Sequence, residues 1–234
     1  MPLPSGMPAL AVKGYGRAGA VFYLHGFASS PKSTKVGYFG DRLREHGIEL
    51  RCPDLNQPDF ATLTLTRMLG QLGDELAGLG RDRAALIGSS LGGTLAILAA
   101  AQFEPQVDRL VLLAPAVMFA KPGHHLLPAE RIDEWRRLGR MPFFHYAYGT
   151  EHDLNVEFYE DSLRHDAFNT EIRQGVLVFQ GLRDASVDYR TVEAFAKARP
   201  NVTLALLDDD HQLIASLPRI WNDVEPFLGL GVKA

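Results

Sequence analysis

Three side chains in this sequence have the types and settings for nucleophilic catalysis: Ser90, Asp184 and His211. A serine hydroxyl is a weak nucleophile, so it needs a base to take its proton and a carboxylate to orient that base and stabilise the imidazolium that forms. Ser90 is the centre of Gly88-Ser89-Ser90-Leu91-Gly92. Gly-x-Ser-x-Gly between a strand and a helix presents the hydroxyl at a strained turn, with glycines where side chains would collide as the helix folds back. Asp184 ends Gly181-Leu182-Arg183-Asp184, and His211 ends the run Asp208-Asp209-Asp210-His211. The chemistry is attack on a carbonyl carbon, with charge developing on its oxygen. Two backbone donors must meet that charge. The N–H of Leu91, at a helix N-terminus, is one candidate, and the N–H of Phe27, in the loop His25-Gly26-Phe27, is the other.

Each assignment has competitors. Asp188 shares a loop with Asp184, and Asp208, Asp209 and Asp210 adjoin the histidine; an acid next to His211 in sequence does not readily turn back onto its ring, so Asp184 is preferred. His124, His125, His145, His152 and His165 read as solvated or structural, because none stands between a strand and a helix as His211 does. The pair His124-His125 lacks metal-ligand spacing to a carboxylate on a regular element, and no metal is expected. His25 is expected to hold its loop, with substrate contact as the lesser reading. Cys52 reads as a buried strand residue. Lys32 and Lys35 read as solvated, although a lysine at a pocket mouth could attract an acidic substrate.

These side chains need a scaffold that brings distant loops together. Apolar runs at Ala20 to Leu24, Ile48 to Leu55, Ala84 up to the break at Gly88, Val107 to Ala114, Val176 to Gln180 and Val202 to Leu207 predict strands. Between them, Val36 to Glu45, Leu63 to Leu79, the alanine-rich segment after Ser90, Tyr189 to Ala198 and Gln212 to Phe227 predict helices. Residues Ala9 to Arg17 suggest one or two short edge strands. The alternation predicts an α/β fold with a mostly parallel central sheet and helices on both faces. Ser90, Asp184 and His211 then stand at or just past the C-terminal ends of strands, where open α/β sheets place their chemistry.

Residues 116–168 break the rhythm. They carry many aromatics and two helical patterns, around Ala129 to Leu138 and Leu154 to Leu163, and are too long for a plain connection. They predict a helical cap inserted within a single domain spanning residues 1–234. Aromatics such as Trp135, Phe143, Phe144 and Tyr146 are more often core than pocket, but some of these four are its candidates for lining an apolar acyl site.

Composition excludes other classes. At 234 residues, 46% hydrophobic and 22% charged, the chain supports a sizeable core and gives no sign of disorder. A net charge of -4 offers no basic field for nucleic acid or anionic lipid. The N-terminal MPLPSGMPAL predicts no signal peptide, and no run has the roughly 18 apolar residues of a membrane span. One cysteine permits no internal disulfide, in keeping with the cytoplasm. Oligomeric state is open.

LHGFASSPKSTK, IGSSLGGTLA, the GLRD turn and DDDHQ together resemble the α/β-hydrolase superfamily, whose triads follow the chain order Ser, Asp, His found here. HGF-x-SSP-x-S-x-K with GSSLGG resembles in particular the small bacterial esterases of the YqiA-like group. The superfamily resemblance spans the chain; the subgroup resemblance covers the first half. It implies a hydrolase with no metal or other cofactor, an acyl-enzyme intermediate and, for the subgroup, carboxylesterase action on small acyl esters. The long insert departs from the compact subgroup and is closer to capped esterases, peptidases and acyl-thioesterases. Ester, thioester and amide therefore stay open, as does a catalytically idle fold used for ligand sensing.

Overall fold

Strands that read as apolar on both faces are those the fold buries between two helical layers. The computed structural model describes residues 16–121, 124 and 127–231. Most of the expected edge strands at Ala9 to Arg17, and His125, lie outside the described residues.

In chain order the elements are β1 (Ala20–Leu24), α1 (Thr34–Glu45), β2 (Leu50–Arg51), α2 (Leu65–Ala77), β3 (Ala84–Ser89), α3 (Leu91–Gln102) and β4 (Val107–Leu113). An insertion follows, with α4 (Ala129–Leu138), β5 (Arg140–His145), β6 (Thr150–Asn155) and α5 (Glu157–Ser162). The chain closes with β7 (Gly175–Gly181), α6 (Tyr189–Lys197), β8 (Val202–Leu207) and α7 (Leu217–Phe227). Six strands form one sheet in the order β2-β1-β3-β4-β7-β8, every pair parallel.

Alternate side chains of each inner strand feed opposite cores. Phe22, Leu24, Leu86, Leu110, Leu112, Val176 and Val178 pack with α2, α3 and α6. Val21, Tyr23, Ile87, Val111, Leu113, Leu177 and Phe179 pack with α1 and α7. With both faces covered, the inner strands have no side that prefers water, which explains their unbroken apolar runs. α3 lies against β3 and β4 and is buried over nearly its whole length, as its alanine-rich sequence requires.

The structure differs from the sequence reading in three places. The strand expected over Ile48 to Leu55 shrinks to two residues, because Pro53 cannot extend a ladder. The closing helix begins at Leu217 rather than Gln212: Leu213 has φ 56°, which stops a helix, and Pro218 suits a first turn. The insertion is not purely helical. α4 matches its expected span, but β5 and β6 form an antiparallel hairpin in register from Arg140↔Asn155 to His145↔Thr150. The helix expected from Leu154 starts only at Glu157, because Leu154 and Asn155 belong to β6.

The insertion shares the core of α2 and α3 through Ile132, Trp135, Phe158 and Tyr159. Asp161 fastens it, accepting from the Thr66 N–H at 2.9 Å and the Thr66 hydroxyl at 2.6 Å at the start of α2. Among the described residues no helix is long and apolar enough to cross a membrane.

Candidate active site

Ser90 follows β3 directly and precedes α3, with φ 53° and ψ -115°. That backbone is costly for a residue with a Cβ and persists only where the surroundings enforce it. Here they do: the Ser90 N–H donates to the Leu113 carbonyl at 3.0 Å, and the Ser90 carbonyl accepts from Gly93, Thr94 and Ala116. A Cβ at Gly88 would stand 2.4 Å from the Gly92 carbonyl oxygen, and one at Gly92 would stand 1.9 Å from that of Leu24. Both glycines are therefore required by close backbone approach.

His211 Nδ1 lies 2.8 Å from Asp184 Oδ2, and His211 Nε2 lies 3.1 Å from Ser90 Oγ. A neutral imidazole protonated on Nδ1 donates to the carboxylate and accepts the serine hydroxyl proton, which is the arrangement nucleophile activation needs. The Asp184 side chain is fully buried. Its Oδ1 accepts from the N–H groups of Ser186 and Val187, both at 2.8 Å, and its Oδ2 also accepts from Gln180 Nε2 at 2.9 Å. Burial alone would raise this carboxyl, but the hydrogen bonds from His211, Val187 and Gln180 outweigh it and hold the group below the usual carboxylate range.

The competing acids have other partners. Asp188 caps α6 by accepting from the Arg190 N–H. Asp209 braces the loop of His211, accepting from the N–H groups of Asp210 and Ser216, and Asp210 accepts from that of Gln212. Asp208 pairs with Arg183. Cys52 is half-buried just past β2; burial, with Asp54 nearby, pushes its thiol up to about 12 and keeps it protonated.

Gly26 packs against Ser90: a Cβ there would lie 3.4 Å from the Ser89 carbonyl oxygen and 3.5 Å from Ser90 Cβ. This brings the next residue, Phe27, beside the serine. Among the described residues neither the Phe27 nor the Leu91 N–H has a hydrogen-bond acceptor. His25 ties the loop down, its Nε2 accepting from the Leu55 N–H at 3.1 Å and its Nδ1 lying 3.0 Å from the Gly26 carbonyl. Burial lowers its pKa despite the Gly26 carbonyl and Asp54.

Ser90 and His211 open into a cavity of about 1330 Å³. Phe27, Leu91, Met118, Phe119, Val187 and Ile214 supply apolar lining. Of the four insertion aromatics proposed from sequence, only Tyr146 borders it, at its own 75% exposure. Trp135 is 0% exposed and donates from Nε1 to the Leu154 carbonyl at 2.8 Å, so it is core. Phe143 is wedged between Trp135 and Phe27, and Phe144, half exposed, packs edge-on against Tyr146. Placing these aromatics by composition alone overlooked the hairpin, which turns alternate side chains to opposite faces. His145 stacks on Tyr148 at 3.7 Å and His165 sits against Thr66 and Asp161, whereas His124 reaches the cavity.

Residues 20–225 match the model of an uncharacterised protein family, UPF0227. The chain belongs to this family. The YqiA-like resemblance read in the first half thus extends, as UPF0227 membership, through both later loops. The chain is 23% identical to N-formylmaleamate deformylase of Pseudomonas putida, over 91% of this chain and 87% of that protein. Among solved structures it is similar to mouse alpha/beta hydrolase domain-containing protein 10, with a TM-score of 0.74 and 20% identity over 90% and 89% of the two chains. It is also similar to Est1E of Butyrivibrio proteoclasticus bound to ferulic acid, with a TM-score of 0.70 and 21% identity over 91% and 88%. With the parallel six-stranded sheet, these likenesses identify the α/β-hydrolase fold for this UPF0227 chain.

One residue at the site was missed, and another was read as solvated. Gln180 reads as one more strand position, yet it is fully buried and donates to Asp184; its place four residues before the acid was the available signal. Lys35 is not solvated as expected but 7% exposed, a change the first turn of α1 imposes by facing it inward.

Proposed function

We propose that this protein is a serine hydrolase that cleaves a small-molecule carboxylic ester through an acyl-enzyme intermediate. The observation that carries the reading is the unbroken run from Asp184 through His211 to Ser90, at 2.8 and 3.1 Å. Ser90 Oγ attacks the carbonyl carbon as its proton passes to His211 Nε2. Asp184 keeps the Nδ1 proton in place and stabilises the imidazolium. The N–H groups of Phe27 and Leu91 meet the oxyanion. His211 then protonates the departing alcohol, and water, activated by the same imidazole, releases the acid. Residues 116–168 act as a cap over the single catalytic domain. The proposed compartment is the cytoplasm, in keeping with a chain that has one cysteine.

A second reading keeps the machinery and changes the bond. The curated relative's name denotes removal of a formyl group, which favours including amides, and acyl-thioesters need no different apparatus. Incubation with a fluorophosphonate tests the mechanism: a mass adduct on Ser90 is expected, and folded protein without adduct would sink it in favour of an idle fold. Rates on esters, thioesters and amides of matched acyl groups then separate the substrate classes.

A further inference from the structure

Lys35 is a cation buried without a counter-ion. From the first turn of α1 its side chain runs inward to the cavity that holds Ser90 and His211, and Nζ donates to the Gln212 carbonyl at 3.0 Å. An ammonium has three donors. Among the described residues that carbonyl is its one acceptor, and no carboxylate comes within ion-pairing distance. Asp210, Asp184 and Asp209 act on it only from further away, and each is engaged by other donors. Buried charges are ordinarily paired, because an unpaired one forfeits its hydration with nothing in return. Ser29, Ser30, Ser33, Thr34 and Lys32 border the same cavity and add hydroxyls and a second cation.

We infer that the substrate carries a carboxylate, seated against Lys35 in the cavity while the scissile carbonyl meets Ser90. The inference rests on the serine hydrolase reading and deepens it to one substrate class, acyl compounds with a free acid group such as half-esters of dicarboxylic acids. Nζ then satisfies its remaining donors on the ligand, which supplies the close carboxylate partner that none of the surrounding aspartates provides.

Burial lowers Lys35 to about 8, with Asp210, Asp184 and Asp209 opposing. The ammonium thus predominates at neutral pH and is lost as pH rises through about 8. Asp184, Asp209 and Asp210 face it from the sheet loops, and His211, Asp188, His124 and Lys32 border the cavity.

The test compares the butyrate and hydrogen succinate esters of one alcohol, which share chain length and differ in a terminal methyl or carboxylate. The wild-type protein is expected to favour the succinate, and its KM for succinate alone should climb between pH 7 and 9. In Lys35→Met the ratio of kcat/KM for succinate over butyrate should fall about 10- to 100-fold, the scale of a lost charged hydrogen bond. Equal losses on both esters would assign Lys35 to holding the Gln212 loop and overturn the inference, as would a pH-independent ratio in the wild-type protein. The wild-type arm decides alone if the variant does not fold. Fluorophosphonate labelling and butyrate hydrolysis without succinate preference defeat this inference only; absence of both defeats the hydrolase reading as well.

Discussion

Gln180 Nε2 donates to the same oxygen of Asp184, Oδ2, that accepts from His211 Nδ1. The glutamine helps fix the carboxylate that fixes the imidazole. Gln180→Leu removes one donor from a buried carboxylate, which raises that carboxyl relative to its present depressed position. On the proposed mechanism kcat should fall about tenfold, the scale of a hydrogen bond to a charged group, with KM little moved. Steady-state kinetics on one neutral ester check this, and unchanged kcat would remove Gln180 from the site.

Asp184 and Asp188 share a loop but not a task. Asp184→Asn should reduce kcat by about 10⁴, through the wrong imidazole tautomer. Asp188→Asn should leave turnover near the wild-type value, since an asparagine caps a helix about as well as an aspartate. A reversed ranking would show that the acid has been misassigned.

The strained backbone at Ser90 makes a stability prediction separate from activity. Ser90→Ala and Ser90→Gly should both abolish hydrolysis on the proposed mechanism. Glycine tolerates φ 53° without a Cβ penalty, so Ser90→Gly should unfold at a higher denaturant concentration than Ser90→Ala, by about 1 kcal/mol. Coincident urea curves would mean that the elbow stores no strain.

His25 gives the pH dependence. Its folded-state pKa lies below the ordinary value near 6.5, so the unfolded chain binds this proton more readily. Its contribution to stability is fully present above about pH 6.5 and is lost as pH falls from there toward the folded-state pKa, at a slope of at most about 1.4 kcal/mol per pH unit. Protonation would also set an Nε2–H against the Leu55 N–H and loosen the Phe27 loop. Urea midpoints from pH 8 to 5 should therefore fall less steeply for His25→Gln than for the wild-type protein; parallel profiles would acquit His25.

At Phe27, backbone and side chain separate. The ring packs against Phe60, Phe143 and Phe158, with centroids 5.3 to 5.6 Å away. Phe27→Ala should thus lower stability by about 3 kcal/mol while keeping the N–H. Phe27→Pro deletes the donor and should reduce kcat about 10²- to 10³-fold further, provided circular dichroism and fluorophosphonate labelling show fold and nucleophile intact. A proline variant no slower than the alanine variant would move the second oxyanion donor elsewhere, with the Ala28 N–H next in line.

The sheet was legible because its inner strands are buried on both faces, and a run such as Val107 to Leu113 has few other ways to fold. Ser90, Asp184 and His211 were legible because each follows a strand end. The hairpin was not, because β6 reads Thr-Glu-His-Asp-Leu-Asn, with Leu154 alone buried, and holds its shape through pairing to β5. Lys35 was read as solvated for a related reason. A lysine in a Ser- and Pro-rich loop reads as solvated until the fold shows which way the first turn of α1 faces.

His211 hangs from the end of β8, and among the described residues β8 is an outer strand, hydrogen-bonded to β7 alone and only partly buried along its length. Ser90 and Asp184 follow strands flanked on both sides. His211, the proposed base, is thus mounted beyond an edge strand of the sheet, while Ser90 and Asp184, the proposed nucleophile and acid, follow interior strands. On the proposed mechanism, mild warming or low denaturant that frays this edge without melting the centre would silence the site before the fold is lost.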